Sequence, residues 1–343
     1  MKGIERLNAI MEGRAPDRWP FIPSIYEHGP AVIGQPISKV SRNADLMASA
    51  AIESYKLYRH DLVTVGVDIY NIEAEALGCR IEATERSIPG VVTHPLQDAG
   101  PSEIESLEIP EPGPENRLGT ITEASGKVFE AIGDEVWIYG CMGGPFSQAV
   151  ELRGFEQLIA DIYTAPELVH SLMEKTAELS VQQAERLSRQ GCGIYLYESW
   201  ATIPLIHGEI FEKFVVPYNK RVITRVREQF DTPPPGVIMG GDTAMLIDYF
   251  LEAGTCIMVA DYNTDFDLIR DKISNRRMLV RGCVDPKLIE RGEWDTLEQS
   301  VSTLAEKARG MQNFVWGCGC VSFDTPPENL LRFKDLCLAA NEG

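Results

Sequence analysis

"NFVWGCGCVSFDTPPENLL", residues 313–331, decides how the rest of the chain is read. Its first part is a strand pattern: Phe314, Val315 and Trp316 suit a pleated, buried surface. Its second part starts a helix, with Thr325 and Glu328 in capping-box spacing. A buried strand running straight into a helix is the unit of α/β folds. Seven further stretches of this kind precede it, at residues 18–26, 61–70, 135–144, 191–200, 235–243, 255–263 and 278–286. Amphipathic helical patterns at 166–190, 208–229 and 296–311 separate the later ones, the first opening on Pro166 and stopping at Gly191.

Near-continuous apolar strands separated by helices mean a parallel sheet covered on its faces. Eight of them predict a (β/α)8 TIM barrel. A doubly wound open sheet is the competing design, but no GxGxxG follows the first strand. Ile4, Leu7, Ile10 and Met11 keep helical spacing, which adds an N-terminal helical segment ahead of the barrel. Between strands 2 and 3 the pattern breaks. Residues 76–95 read as a hairpin and 109–119 as a Pro/Gly loop, together an insertion. With no internal repeat and no low-complexity linker, residues 1–343 are expected to form a single barrel domain.

The 343 residues, 44% of them hydrophobic, suffice for one large core. A formal charge of -19 repels phosphate backbones, so a nucleic-acid partner is not expected. No run approaches the ~18 apolar residues of a membrane span, and the N-terminus lacks the apolar run of a signal peptide. A cytoplasmic protein is expected, its eight cysteines reduced rather than paired.

Functional residues of such barrels gather where strands end. The ends carry Tyr26, Glu27 and His28; Asp68 and Tyr70; Cys141; Tyr197, Glu198 and Trp200, with His207 soon after; Asp242; Asp261 and Tyr262; Cys283; and Cys318 with Cys320. Asp261, Cys283 and the final pair come from three consecutive strands. Thiolates and a carboxylate with one position left open suit catalytic zinc. The same residues also read as packing thiols and, for Asp261, as a helix N-cap. Glu198 follows the apolar run "IYLY", so burial would raise its pKa toward acid–base use; a structural hydrogen bond to nearby backbone is the other reading. His28 and His207 are candidate substrate contacts or caps on the same face. Tyr26, Tyr197, Trp200 and Tyr262 are candidates for an aromatic pocket. An extended 316–322 would turn Cys318 and Cys320 to one side, because side chains alternate along a strand.

The segments "ERLNAIMEGRAPDRWPFIP" (5–23), "AEALGCRIE" (74–82), "GGPFSQAVELRGFEQLI" (143–159), "FEKFVVPYNKRV" (211–222), "GCVDPKLIERG" (282–292) and "DTPPENLL" (324–331) occur in an order that resembles the uroporphyrinogen decarboxylase superfamily over nearly the whole chain. That resemblance implies a distorted (β/α)8 barrel. The superfamily's decarboxylases carry an arginine-rich loop after strand 1; here residues 23–36 read "PSIYEHGPAVIGQP", without arginine. The chain is more similar to the corrinoid-dependent methyltransferases of the superfamily. Many of those hold zinc through His-x-Cys after strand 5 and a Cys after strand 8. Here Ile238 and Gly240 stand at the first two positions, while a cysteine survives as Cys318 or Cys320 and a new one is present at Cys283.

An Asp…Cys…Cys set resembles the first methyltransferase component of bacterial ether-demethylating systems. The resemblance implies zinc on Asp261, Cys283 and Cys320 or Cys318, with Asp242 as the other candidate carboxylate. The expected reaction moves a methyl group from a small methylated donor, an aromatic methyl ether first, to the Co(I) corrinoid of a partner protein. Glu198 or His28 would handle the leaving oxygen, and Tyr26, Tyr197, Trp200, His207, Asp242 and Tyr262 would contact substrate. The alternatives are a tetrapyrrole decarboxylase, or methyl transfer from a methylamine, methanol or a thiol.

Overall fold

The computed structural model describes residues 1–68, 71–113, 115–274 and 276–341. Tyr70, expected to end the second strand, and residue 114 of the expected loop lie outside them. The strands are β1 (Leu62–Val65), β2 (Ile81–Glu82), β3 (Gly90–Val91), β4 (Trp137–Gly143), β5 (Gly193–Tyr197), β6 (Gly236–Ile238), β7 (Ile257–Ala260), β8 (Leu279–Val284) and β9 (Phe314–Cys318). β1, β4, β5 and β6 pair in that order, and β7, β8 and β9 form a second ladder; every pair in both is parallel. The wall strands β4, β5, β7, β8 and β9 are buried along their whole length. Cover on both faces accounts for the unbroken apolar runs that mark them in the sequence.

Two seams join the ladders. At one, the Cys256 amide donates to the Pro235 carbonyl at 2.9 Å, and the Val237 amide to Thr255 Oγ1 at 2.8 Å. At the other lies the expected first strand, 18–26. It is present only as two isolated bridges, Phe21 to Trp316 and Ser24 to Cys320. Pro20 and Pro23 have no N–H to give a ladder, which keeps this segment irregular. It still spans the gap: the Trp316 amide donates to the Pro20 carbonyl, and the Asp61 amide to the Phe21 carbonyl, both at 2.8 Å.

The buried Asp61 carboxylate anchors this seam. It accepts from Arg6 Nη1 at 2.9 Å, from Arg18 Nη1 at 2.8 Å and from the Phe21 amide at 2.8 Å. Arg6 belongs to the N-terminal helix Gly3–Met11, the helical segment that the spacing predicts. The hairpin of the insertion is present as β2–β3, with Ile81 opposite Val91 and Glu82 opposite Gly90.

Three local expectations are corrected. The expected loop 109–119 gives way at Arg117 to a helix (Arg117–Ile132), and Asn116 caps it through the Gly119 amide at 3.2 Å. The last helix, Pro327–Ala339, has no side-chain cap. Thr325 Oγ1 instead lies 2.9 Å from Ser322 Oγ. The helical stretch from Gly208 passes through a π turn (Phe211–Val215) before Val216–Gln229. Pro217, without an N–H, sits where the regular pattern resumes. Among the described residues, no helix is long and apolar enough to cross a membrane.

Candidate functional site

The C-terminal ends of five strands and the segment after the first bridge enclose a cavity of about 120 Å³. Tyr197 comes from β5, Met239 and Gly240 follow β6, Asp261 follows β7, and Arg281 and Cys283 belong to β8. Cys318, Gly319 and Cys320 come from the end of β9, and Ser24 and Tyr26 from the seam. This is the face where a parallel barrel presents its chemistry. A second cavity, of about 380 Å³, adjoins it across Asp261 and Cys283, and Tyr262 lines that one.

The wall is aromatic and thiol-rich. Tyr197 donates to Tyr26 Oη at 2.7 Å, and the two rings meet edge to face at 5.7 Å. Cys141 Sγ lies 3.5 Å from Tyr197 Oη. Burial pushes the Cys141 thiol up to about 12 and the Cys283 thiol up to about 11. The Asp261 carboxylate accepts from the Gly241 amide at 3.1 Å and from the Tyr262 amide at 2.9 Å. It therefore locks the loop after β6 to the end of β7 rather than capping a helix.

The two neighbouring cysteines part company. Cys283 pairs in register with Gly317, and a Cβ at Gly317 would lie 2.6 Å from Arg281 Cγ. The Gly317 side of β9 thus faces the barrel interior, and alternation turns the wholly buried Cys318 to the opposite side. There burial, and then Cys318 beside it, push up the thiol of Cys337 in the last helix. β9 ends at Cys318 and the chain bends at Gly319, so Cys320 does not continue the alternation. Cys320 is exposed at the mouth. The protein crowding its sulfur, with Glu27 next in weight, pushes that thiol up to about 12. The expectation that both cysteines face one side fails at this bend.

Asp261, Cys283 and Cys320 therefore share a cavity, and Cys318 borders it from β9 with its thiol turned away. Among the described residues, however, no three His, Cys, Asp or Glu side chains are grouped so as to hold a metal ion. The donors match zinc in kind, two thiols and a carboxylate facing one space, without converging on a point. All eight cysteines are free.

Several expected site residues hold structural positions instead. Glu198 is wholly buried, but its carboxylate is turned to the start of the helix Pro145–Arg153. It accepts from the Phe146 amide (3.2 Å), the Ser147 amide (2.8 Å) and Ser147 Oγ (2.9 Å). A Cβ at Gly144 would fall on its carboxyl, which explains that glycine. Burial outweighs these bonds and pushes Glu198 up to about 7. The group that sequence reasoning gives to acid–base work is a helix anchor. His28 uses both ring nitrogens, Nε2 with Tyr58 Oη at 2.7 Å and Nδ1 with the Ser322 carbonyl at 3.1 Å. Burial lowers its pKa, and it ties the loop after β9 to the helix Ala44–Tyr58.

Trp200 donates to Glu151 Oε1 at 2.7 Å and stacks on Phe155. His207 Nε2 pairs with Tyr163 Oη at 2.8 Å on the surface. Asp242 is exposed and accepts from the Ala244 amide at 3.1 Å, a local turn. None of these five lines either cavity.

Arg281 is the residue that sequence reasoning missed. It is 3% exposed and lines the smaller cavity beside Cys283. The available signal was a lone charge inside the apolar run "MLVRGCV", two residues before Cys283 and so on the same face of the strand.

The family profile described as "Uroporphyrinogen decarboxylase (URO-D)" matches residues 2–339. The chain belongs to this family. Among curated relatives, a methylcobamide:CoM methyltransferase MtbA of Methanosarcina acetivorans is 28% identical over 85% of this chain and 84% of its own length. An MtbA of Methanosarcina mazei is also 28% identical, with the same coverage. A uroporphyrinogen decarboxylase of Geotalea daltonii is 24% identical over 87% of this chain and 85% of its own. Among solved structures, a methyltransferase from Methanosarcina mazei superposes with a TM-score of 0.85 at 20% identity, covering 100% of this chain and 98% of that one. That likeness carries the (β/α)8 fold of the family, and the strand order here agrees with it.

Proposed function

We propose that this URO-D family protein is a methyltransferase that moves a methyl group from a small methylated donor to a corrinoid carried by a separate protein. The observation that carries the reading is the cavity at the strand ends. It is lined by Tyr26, Tyr197, Cys283 and Asp261, and its volume of about 120 Å³ suits a small molecule. The absence of arginine from residues 23–36 argues the same way, because bidentate arginine is the usual grip on carboxylates. The similarity to methylcobamide:CoM methyltransferases along most of the chain supports it further.

A reduced corrinoid on the partner would supply the nucleophile. This chain's own residues bind, orient and dry the donor. The donor lies against the Tyr26–Tyr197 edge-to-face pair, which favours an aromatic methyl ether. Tyr197 donates a hydrogen bond to Tyr26, which leaves the Tyr26 hydroxyl to donate a hydrogen bond to the oxygen that departs from the methyl group. Asp261, Cys283 and Cys320 are the residues that would hold zinc, which would polarise that oxygen as a Lewis acid. A cytoplasmic location accords with eight free thiols.

The test is to incubate the purified chain with a reduced corrinoid protein and a panel of methyl ethers, methylamines and methanol, and to score the demethylated product. Demethylation of an aromatic ether, slowed at least tenfold by Tyr26→Phe, is expected. Conversion of uroporphyrinogen with every methyl donor left intact would overturn the reading.

A further inference from the structure

Arg281 stands at the wall of the cavity without an ion-pair partner among the described residues. It is 3% exposed, and its Nε is buried without a hydrogen-bond partner. Its stem crosses Gly317, the position where a Cβ would lie 2.6 Å from Arg281 Cγ and 2.8 Å from Cδ. Its nearest electrostatic neighbours are the Cys283 thiol and the phenols of Tyr26, Tyr195 and Tyr197.

Asp261 lines the same cavity, where its two oxygens accept from the Gly241 and Tyr262 amides and it makes no ion pair with Arg281. Among the described residues Arg281 forms no ion pair, whereas the other wholly enclosed arginines, Arg117 and Arg153, are paired with Asp68 and Asp161. A guanidinium does not shed its proton at any working pH. Removing such a charge from water without a partner is costly, and its fork of donors matches a carboxylate in two parallel hydrogen bonds.

We propose that Arg281 is the anion-binding residue of this cavity, and that the donor it selects is a small organic acid bearing the methyl group. The identity of the ligand as a methyl donor rests on the methyltransferase reading; the anion preference does not. In the bound state the carboxylate faces Arg281 from the β8 side, and the rest of the molecule lies toward Tyr26 and Tyr197.

The test uses probes without any transferable methyl ether. Binding of benzoate is measured against benzamide, and acetate against acetamide, by calorimetry on the chelator-treated full chain. The wild type should take the acid of at least one pair at least tenfold more tightly than its neutral amide. Arg281→Gln should abolish that preference and Arg281→Lys should keep part of it. Equal affinity for acid and amide in both pairs, or a preference that survives Arg281→Gln, would overturn the proposal. If Arg281→Gln does not fold, the lysine variant and the wild-type acid-to-amide ratio still decide. Methyl transfer is scored separately, so anion preference without transfer would sink the methyltransferase reading alone, and transfer without anion preference would sink this inference alone.

Discussion

Replacing Glu198 by alanine should unfold the barrel earlier without touching the cavity wall. The substitution removes the acceptor for two backbone amides and one hydroxyl at the start of the helix Pro145–Arg153. Each buried donor left unsatisfied costs about 1–3 kcal/mol. Water can enter the space vacated by a carboxyl and relieve part of this, so the low end, ~3 kcal/mol for the three together, is the figure to test. Unfolding entropy is ~2.1 cal/mol/K per residue, or ~0.7 kcal/mol/K for a chain this long. The expected fall in Tm is therefore about 4 °C, read by differential scanning calorimetry at matched concentration and pH. A midpoint unchanged within a degree, together with a large loss of turnover, would refute the anchoring role and restore Glu198 to the chemistry.

Other outcomes follow from the same contacts. Burial lifts both Glu73 and Glu198 to about 7 in the folded state, above the ordinary carboxylate value. The folded chain therefore holds more protons than the unfolded one between about 4.5 and 7, and stability falls as pH rises through that window. Urea midpoints should be higher at pH 5.5 than at 7.5, and Glu73→Gln with Glu198→Gln should flatten the difference. Asp61→Ala strips the anchor from Arg6, Arg18 and the Phe21 amide, and should cost on the order of 3–5 kcal/mol in denaturant unfolding. Cys318→Ala should lower stability by ~1 kcal/mol as a core truncation, whereas Cys320→Ala should leave the melting midpoint in place and reduce zinc uptake measured by metal analysis.

How much of this was legible beforehand differs between fold and site. The strands announced themselves because burial on both faces leaves no polar alternation: "GIYLY" in β5 and "LVRGCV" in β8 are buried at every position. The helix Arg117–Ile132 was hidden although Leu118, Ile121, Val128 and Ile132 keep helical spacing. Gly119 and Gly126 interrupt it, and the Pro/Gly run just before it reads as loop.

Tyr26, Tyr197, Asp261, Cys283 and Cys320 were found by position and line the cavity, whereas Glu198 and His28 are held by structural partners. Glu198 does follow a strand, β5, and His28 opens the short helix His28–Val32, but what they do is set by Ser147, Tyr58 and Ser322, partners far away in the chain that only folding brings together. Cys318 and Cys320 could not be separated by alternation, because the strand ends at Cys318, the chain bends at Gly319, and Cys320 bridges to Ser24, far away in the sequence. Arg281 was overlooked because a single charge within an apolar strand gives no hint of whether a partner awaits it.

The central claim is methyl transfer to a corrinoid, and the absorbance of the cobalt centre tests it most directly. A reduced corrinoid protein is mixed with this chain and a methoxybenzoate, and the Co(I) band is followed over time. The band should decay into the methylated corrinoid spectrum in step with release of the corresponding phenol, and omitting the chain should stop both. A Co(I) band that persists with every methylated donor, while uroporphyrinogen is decarboxylated by the same preparation, would contradict it.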